Sequence, residues 1–339
     1  MIVEALLYDR LEERQVRCRL CRQDCIIKPG RRGRCGVREN RDGTLESLVY
    51  GRVIAAHVDP IEKKPLFHLL PGSLSFSIAT VGCNFRCRFC QNADIAQMPG
   101  DQKGRIMGQH QSPEAVVAAA KASGSASIAY TYTEPTIYFE FAHATAELAH
   151  RAGLKNVWVT NGFMSPEALE MAAPHLDGAN VDLKAFHDDF YRKQCGARLA
   201  PVLTTLRGMR SRGIWVEVTT LIIPGLNDDP EELRRLAAFI SDDLGPDTPW
   251  HVSRFHPTYK LIDRPPTPVE TILSARQIGI DAGLHYVYCG NIPGRGGEDT
   301  LCPQCGETLI ERRGFTIRRN RAVGGHCQHC QAPIAGVGI

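Results

Sequence analysis

Three cysteines within eight residues carry the most specific chemistry in this chain. Cys83, Cys87 and Cys90 have the spacing C-x3-C-x2-C in the segment TVGCNFRCRFCQN (80–92). Thiolates bind iron–sulfur clusters, and a [4Fe–4S] cluster normally takes four of them. Three thiolates leave one iron without a protein ligand, so that this iron can bind a small molecule. The alternatives are three free cysteines or a zinc site without a fourth ligand nearby, but zinc motifs favour paired C-x2-C halves separated by a longer loop.

A second group of cysteines lies near the C-terminus. It consists of two C-x2-C pairs separated by 21 residues: Cys302, Cys305, Cys327 and Cys330. This spacing is typical of a tetrahedral zinc-ribbon site, and a rubredoxin-like iron site uses the same ligands. The metal would fold a segment that is too short to form a core of its own.

A third group lies near the N-terminus and has the spacing C-x2-C-x3-C-x9-C: Cys18, Cys21, Cys25 and Cys35. Tetrahedral sulfur coordination admits either zinc or an auxiliary [4Fe–4S] cluster. The short, uneven spacing slightly favours the cluster, which could relay electrons or only staple this segment. The two remaining cysteines, Cys195 and Cys289, are interpreted as small packed residues.

Composition places the chain among globular proteins. Its 339 residues are 43% hydrophobic and 23% charged, which allows a sizeable core and excludes intrinsic disorder. No apolar run approaches the roughly 18 residues of a membrane-spanning helix, and the first residues are acidic where a signal peptide would be basic. We therefore expect a cytoplasmic protein without a membrane association, in which clustered cysteines bind metal rather than form disulfides.

The middle of the chain alternates apolar strand-like runs with amphipathic helical windows. The sequence predicts strands at 73–80, 127–132, 156–160, 178–184, 214–223, 250–255 and 285–289. Helix-start signals at Ser112-Pro113-Glu114 and Ser165-Pro166-Glu167 fall between them. This alternation predicts βαβ units and a parallel sheet, either doubly wound or a full or partial barrel.

Two short segments flank this α/β core. Residues 1–50 contain the first cysteine group and form an N-terminal four-cysteine metal-binding module, and residues 51–292 form the core. A glycine-rich linker and the last cysteine group make up residues 293–339. Cys83 directly follows the first strand of the core, and α/β barrels build active sites at the carboxyl ends of their strands.

The C-x3-C-x2-C motif, with the aromatic Phe89 before its last cysteine, resembles the radical S-adenosylmethionine (SAM) superfamily. Its surroundings are similar to the branch that contains the pyruvate formate-lyase activating enzymes. The whole chain resembles more closely the radical SAM member of the AmmeMemoRadiSam system, which has an N-terminal cysteine cluster and a C-terminal ending like Cys302-Pro303-Gln304-Cys305-Gly306 and Ile334-Ala335-Gly336-Val337.

The resemblance implies a fold and a reaction. The fold is a partial (β/α)6 TIM-type barrel, with the [4Fe–4S] cluster in the loop after the first strand. The SAM amino and carboxylate groups chelate the open iron, and one electron from the cluster cleaves the sulfur–C5′ bond. The resulting 5′-deoxyadenosyl radical abstracts a hydrogen atom from the substrate, while the protein positions the cofactors and excludes water.

The resemblance also implies residues that bind SAM, each at the end of a predicted strand. They are Phe89, Glu134, Asn161, Asp182, Lys184, Thr220, His256 and Asn291. Glu134 stands in Thr131-Tyr132-Thr133-Glu134-Pro135, where the family has Gly-Gly-Glu-Pro. Lys184 is expected to reach the SAM carboxylate. The alternatives are a surface ion pair for Asp182 and Lys184 and a structural role for His256.

The resemblance leaves the substrate open. A protein or peptide substrate is expected by analogy with the activating enzymes, together with a flavodoxin- or ferredoxin-like electron donor and Memo-type and AMME-type partners. The first alternative is radical modification of a small molecule or RNA. Nucleic acid is weakly favoured by eleven Lys and Arg against four Asp and Glu over 10–41, but this stretch lacks aromatic residues. The second alternative is a non-catalytic metal-binding protein.

Overall fold

The structure is a computed structural model that describes residues 1–339, except for the side chain of Val323. Seven short strands precede the core: β1 (Val3–Glu4), β2 (Tyr8–Arg10), β3 (Val16–Cys18), β4 (Ile26–Ile27), β5 (Arg38–Arg41), β6 (Thr44–Ser47) and β7 (Arg52–Val53). They form two antiparallel three-stranded sheets, in the orders β1-β6-β5 and β2-β3-β4. The strand β7 pairs instead with β10 (Gln109–His110).

One eight-stranded sheet organises the core. Its strands are β8 (Ala55–Pro60), β9 (Leu74–Ala79), β11 (Ser127–Tyr130), β12 (Lys155–Thr160), β13 (Gly178–Asp182), β14 (Trp215–Ile222), β15 (Trp250–Arg254) and β16 (Val287–Gly290). From β9 to β16 each strand pairs in parallel with the next along the chain, and β8 joins the outer edge of β9 antiparallel. The α/β class and the parallel sheet are therefore confirmed. All seven strands expected from the sequence are present. The sheet therefore has seven parallel strands, one more than the six strands of the partial (β/α)6 barrel that the resemblance implies.

Helices connect the parallel strands. They are α1 (Ala93–Ala96), α2 (Met98–Asp101), α3 (Pro113–Ala122), α4 (Phe139–Arg151), α5 (Pro166–Ala172), α6 (Asp188–Phe190), α7 (Leu199–Ser211), α8 (Pro230–Phe239) and α9 (Val269–Asp281). Because the strands add in one direction, right-handed crossovers place the longer helices on one face of the sheet. The predicted helix starts are confirmed, since Ser112 and Ser165 cap α3 and α5 by accepting backbone N–H groups at 3.2 and 3.1 Å.

The two faces of the sheet differ in chemistry. The helix face is apolar and includes Ile78, Tyr130, Trp158 and Val218, all buried in the main hydrophobic core. The opposite face is called here the inner face. It carries small and polar side chains such as Ser77, Asn180 and Glu217, because strand side chains alternate between faces.

A buried carboxylate closes the inner face at the amino ends of the strands. Glu217 accepts hydrogen bonds from the backbone of Phe67 and His68 at 3.0 and 2.8 Å and from His251 Nε2 at 2.7 Å. Burial alone would raise the pKa of Glu217, but the His251 hydrogen bond and charge lower it below its usual value. The segment after β8 is thereby fixed beneath the sheet.

The N-terminal strands share the core of the sheet. Val16, Leu20 and Val37 belong to the same buried cluster as the helix face. A buried ion pair between Arg38 of β5 and Glu140 of α4 reinforces this contact, and the same carboxylate accepts the Leu6 backbone N–H at 3.0 Å.

The C-terminal residues have a small core of their own. Their strands are β17 (Thr300–Leu301), β18 (Thr308–Arg313), β19 (Thr316–Asn320), β20 (Ala322–Val323) and β21 (His326–Cys327). The core contains Cys302, Leu309, Ile310 and Cys327. Within the described residues, no helix has both the length and the apolar character that crossing a bilayer requires.

The buried ion pair predicts a large effect of one substitution. Glu140→Ala leaves the Arg38 guanidinium buried without its partner, so we expect the free energy of unfolding to fall by about 3–5 kcal/mol. Glu147→Ala on the same helix is the matched control, because its 3.5 Å pair with Arg151 is exposed and is worth at most about 1 kcal/mol. Denaturant unfolding of both variants under anaerobic conditions measures the difference, and equal losses would contradict a structural role for the buried pair.

Candidate functional site

The segment 80–92, called here the cysteine loop, leaves the carboxyl end of β9. Thr133 Oγ1 donates to Thr80 O at 2.8 Å, and Asn92 Nδ2 donates to Tyr132 O at 2.7 Å. Both ends of the loop are thus attached to the end of β11. The loop lies at the edge of the sheet where the sequence predicts an active site.

The three cysteines of this loop are held in a largely buried environment. Cys83 and Cys87 are buried and Cys90 is half-buried, and the Phe85 backbone N–H donates to Cys83 Sγ at 3.3 Å. Burial raises the pKa of Cys83 well above its usual value and that of Cys90 to about 12. Without metal each thiol therefore keeps its proton, which iron must displace on binding.

The backbone of Gln194 and Cys195 accepts hydrogen bonds from the cysteine loop. The backbone N–H groups of Arg86 and Arg88 donate to Cys195 O and Gln194 O at 2.7 and 2.9 Å. The neighbouring Cys195 thiol, which is buried, is the largest cause of the raised pKa of Cys87. The sequence predicts Cys195 to be a packed residue, and it is packed, but its position beside Cys87 has no local sequence signal.

Glu134 is fully buried beside the cysteine loop, and both oxygens of its carboxylate already accept hydrogen bonds. Oε1 accepts from Thr136 N, Thr136 Oγ1 and Thr160 Oγ1 at 3.0, 2.6 and 2.8 Å, and Oε2 accepts from Asn161 N at 2.8 Å. Burial raises the pKa of Glu134, against the effect of these hydrogen bonds. Glu134 thus joins the ends of β11 and β12 and positions Thr160 and Asn161.

Asn161 connects this junction to the first cysteine. Its Nδ2 donates to Asn84 Oδ1 at 2.7 Å and lies 3.8 Å from Cys83 Sγ, while its Oδ1 accepts from Phe163 N at 3.0 Å. Asn84 was missed in the sequence, although its place directly after Cys83 could have indicated it.

Asp182 and Lys184 lie together at the end of β13, as the alternation of the strand predicts. Lys184 Nζ donates to Asp182 Oδ2 at 2.8 Å and stands 5.9 Å from the centre of the Phe89 ring. Burial would lower the pKa of Lys184, but the charge of the Asp182 carboxylate raises it well above its usual value. The ammonium is therefore charged and beside the cysteine loop.

Thr220 lies on the helix face of β14. Its buried hydroxyl donates to Leu183 O at 2.8 Å and accepts from Trp250 Nε1 at 2.9 Å. The neighbouring Thr219 takes the inner-face position instead, because the sheet register pairs it with Asp182. The pleat of β14 thus turns Thr219, and not the predicted Thr220, toward the inner face.

His256 and Asn291 follow the last two parallel strands, and both are exposed. Asn291 has a φ of +60° and donates from Nδ2 to Ser253 Oγ and Arg254 O, both at 3.1 Å. Asn291 therefore ties the end of β16 to the end of β15 at the same edge of the sheet as the cysteine loop.

The C-terminal cysteines converge on one point. Their four sulfurs all lie within 4.8 Å of one another, with Cys302 and Cys330 separated by 3.6 Å and Cys305 and Cys327 by 3.8 Å. Four sulfurs bonded to one zinc ion at about 2.3 Å stand roughly 3.8 Å apart in a tetrahedron. The geometry fits a single metal ion.

The N-terminal cysteines line one cavity with residues of the cysteine loop. Its walls include all four thiols, Leu20, Gln23, Ile27, Arg38, Asn84 and Ile137. Asn84 lines this cavity and also accepts the hydrogen bond from Asn161. The two cysteine groups are therefore neighbours in the fold, although some 50 residues separate them along the chain.

The residues at the end of β9 fit the cofactors that their spacing indicates. Three soft thiol ligands in a water-poor loop are the donors that an iron–sulfur cluster takes. Asn161 Nδ2 lies 3.8 Å from Cys83 Sγ, where it can donate to a sulfur that ligates iron. Charged and amide groups at the neighbouring strand ends provide polar contacts for a zwitterionic ligand.

Comparison with known proteins identifies the family. Residues 77–237 match the Radical SAM superfamily. An uncharacterized protein of Methanocaldococcus jannaschii is 48% identical over 315 residues, which are 93% of each chain. The pyruvate formate-lyase 1-activating enzyme of Escherichia coli is 23% identical over 167 residues, which cover 48% of this chain and 66% of that enzyme. The isethionate sulfite-lyase activating enzyme of Oleidesulfovibrio alaskensis is 30% identical over 111 residues, which are 32% of this chain and 36% of that one.

Solved structures share the fold. SuiB of Streptococcus suis, bound to S-adenosylmethionine, has a TM-score of 0.51 at 13% identity and covers 68% of this chain and 53% of its own. A radical SAM methyltransferase from Sphaerobacter thermophilus has a TM-score of 0.50 at 17% identity, over 70% of this chain and 71% of its own. At these identities the similarity concerns the fold alone.

The matched region begins within β9 and contains the cysteine loop, the Glu134 junction and the Asp182–Lys184 pair. The thiol donor set, the parallel sheet and the family match therefore agree. This chain belongs to the radical SAM superfamily and is a radical SAM enzyme with relatives among the activating enzymes.

Proposed function

We propose that this enzyme cleaves SAM reductively at the cysteine loop and uses the radical to abstract a hydrogen atom from a protein or peptide. The observation that carries the proposal is the position of three thiols, two buried and one half-buried, at the carboxyl end of β9, next to charged and amide groups on the neighbouring strands. Cys83, Cys87 and Cys90 hold the cluster. The bound cluster and SAM supply an electron and a 5′-deoxyadenosyl radical.

The residues around the loop divide into positioning and binding groups. Glu134 holds Thr160 and Asn161 in place, and its Oε2, which accepts a single hydrogen bond, can also receive the SAM ammonium. Lys184 remains charged and is paired on one side only with Asp182, so its ammonium meets the SAM carboxylate through a charge-assisted hydrogen bond. Phe89 covers this region with an apolar ring.

We assign the adenosine part of SAM to the residues at the ends of β14, β15 and β16. Thr219 replaces Thr220 among the candidates because it shares the inner face with Asp182. His256 and Asn291, which are exposed at the same strand ends, offer a ring and an amide to the ribose and adenine. The polar inner face below them provides groups that can meet the substrate.

A protein substrate is supported by the relatives. The names of two of them state that they activate pyruvate formate-lyase and isethionate sulfite-lyase, which are proteins. A one-electron donor of the flavodoxin or ferredoxin class completes the reaction. The sequence pattern around Cys302 and Ile334 extends the proposal to Memo-type and AMME-type partners, in a reducing compartment such as the cytoplasm.

The outer segments have distinct proposed roles. We assign residues 1–50 and 293–339 as the two metal modules that flank the catalytic core at 51–292. The sulfur spacing of 3.6 and 3.8 Å supports one zinc ion in the C-terminal module. That ion stabilises a core of only a few apolar side chains.

Cys83→Ala tests the catalytic assignment. Removing one of three cluster ligands is expected to abolish dithionite-dependent conversion of SAM to 5′-deoxyadenosine, because iron cannot be held in the open geometry. Chromatography of anaerobic reactions measures the product. Cys302→Ala is the matched cysteine control and should lower the stability of the C-terminal module while cleavage by the folded fraction continues. Retained cleavage in Cys83→Ala would contradict the site.

Lys184→Ala tests the SAM-binding assignment. Loss of a hydrogen bond to a charged group is worth about 1.5–3 kcal/mol, so we expect the Kd for SAM to rise roughly 10- to 100-fold. Equilibrium dialysis with the anaerobically reconstituted enzyme gives this Kd without turnover. Lys193→Ala is the control, because Lys193 forms a similar 2.6 Å ion pair with Asp189 on the surface. Unchanged affinity in Lys184→Ala would remove this residue from the site.

A further inference from the structure

The N-terminal cysteine cavity is closed by short-range backbone contacts. The Cys18 N–H donates to Cys25 O at 2.9 Å, and the Asp24 N–H donates to Cys21 O at 3.1 Å. Cys35 enters from a separate turn, in which the Gly36 N–H donates to Gly33 O at 2.9 Å. The four thiols therefore approach a common space from two turns of the chain.

The sulfurs in this cavity are spaced differently from those near the C-terminus. Among the described residues, only the C-terminal group brings three or more metal-ligating atoms all within 4.8 Å of one another. A single ion requires that convergence, whereas the cysteines of a cubane stand farther apart because each binds a different iron. The wider N-terminal arrangement matches a cluster better than it matches one ion.

Two buried residues that line the same cavity carry hydrogen-bond donors without partners. Arg38 is 1% exposed, and its Nε and Nη1 have no hydrogen-bond partner among the described residues. Asn84 is fully buried, and its Nδ2 is likewise without one. Both residues line the cavity. A buried donor is costly unless it finds an acceptor, and the sulfides and thiolates of an anionic cluster are acceptors.

The cavity is in backbone contact with the catalytic loop. Gly82, directly before Cys83, has a φ of +103°, and a Cβ placed on it would lie 3.1 Å from Cys35 O and 2.7 Å from Val37 Cγ1. Only glycine allows so close an approach. The Gln23 side chain adds a second link by donating to Asn84 O at 2.9 Å. Ligands of the two cysteine groups are therefore near neighbours.

We propose that Cys18, Cys21, Cys25 and Cys35 hold a second, fully ligated [4Fe–4S] cluster that passes electrons to the catalytic cluster across the Cys35–Gly82 contact. This step rests on the proposed function of the cysteine loop. One electron from an external flavodoxin- or ferredoxin-class donor reduces the N-terminal cluster. That cluster is oxidised again when the electron moves to the catalytic cluster, and no bond forms or breaks.

The first test counts acid-labile sulfide, iron and zinc in the full chain after anaerobic reconstitution. We expect about eight labile sulfides per wild-type chain, since each cubane contains four. The triple variant Cys83→Ala, Cys87→Ala, Cys90→Ala should keep about half, and so should the double variant Cys21→Ala, Cys25→Ala. The C-terminal site contributes no labile sulfide whichever ion it binds, so it does not affect the count.

The counts separate failure of this proposal from failure of the catalytic assignment. A triple variant without labile sulfide but with an extra zinc ion would overturn the N-terminal cluster and leave the catalytic site intact. A double variant without labile sulfide, beside a triple variant that keeps its full share, would instead overturn the catalytic cluster. The triple variant leaves the N-terminal ligands untouched, so the test holds even if the double variant misfolds.

The second test addresses electron transfer. Because the two ligand sets are in contact, the electron paramagnetic resonance spectrum of the fully reduced wild type should be broadened by spin–spin interaction. It should therefore differ from the sum of the spectra of the double and triple variants. A wild-type spectrum equal to that sum would overturn the relay while leaving the cluster itself in place.

Discussion

The site depends on one buried carboxylate. Glu134 accepts four hydrogen bonds, and the two from Thr160 and Asn161 join the end of β11 to the end of β12. Asn161, fixed by this junction, then reaches Asn84 and the sulfur of Cys83. An unsatisfied carboxylate in this place would cost several kcal/mol, so the junction forms only when both strand ends are in register. The geometry of the cysteine loop is thus coupled to correct folding of the sheet.

Local sequence patterns were sufficient to predict the helices and strands of the core and the metal-binding character of the clustered cysteines. Ser112 and Ser165 begin their helices as predicted, because a cap acts through backbone groups only three residues away. The pairing of Asp182 with Lys184 follows from the alternation of one strand. These features require no knowledge of distant residues.

Contacts between distant segments could not be predicted in the same way. Cys195 supports Cys87 from more than 100 residues away, and nothing near it in the sequence indicates this position. Which of Thr219 and Thr220 lies on the inner face depends on the register of β14 with β13, which only the assembled sheet fixes. The ion pair of Arg38 with Glu140 likewise joins two elements that the sequence presents as unrelated.

The N-terminal segment shows why a cysteine motif is an incomplete guide to a domain. Its spacing suggests a separate metal knuckle, yet Val16 and Val37 are buried in the main core and Cys35 touches Gly82. A module that only required a metal staple would need neither contact. Burying Arg38 and Asn84 beside four thiols is costly in an apolar setting, and that cost is offset if an anionic group occupies the space between them. The same packing that places this anion also places it against the catalytic loop, so stability and electron supply would have a common structural origin.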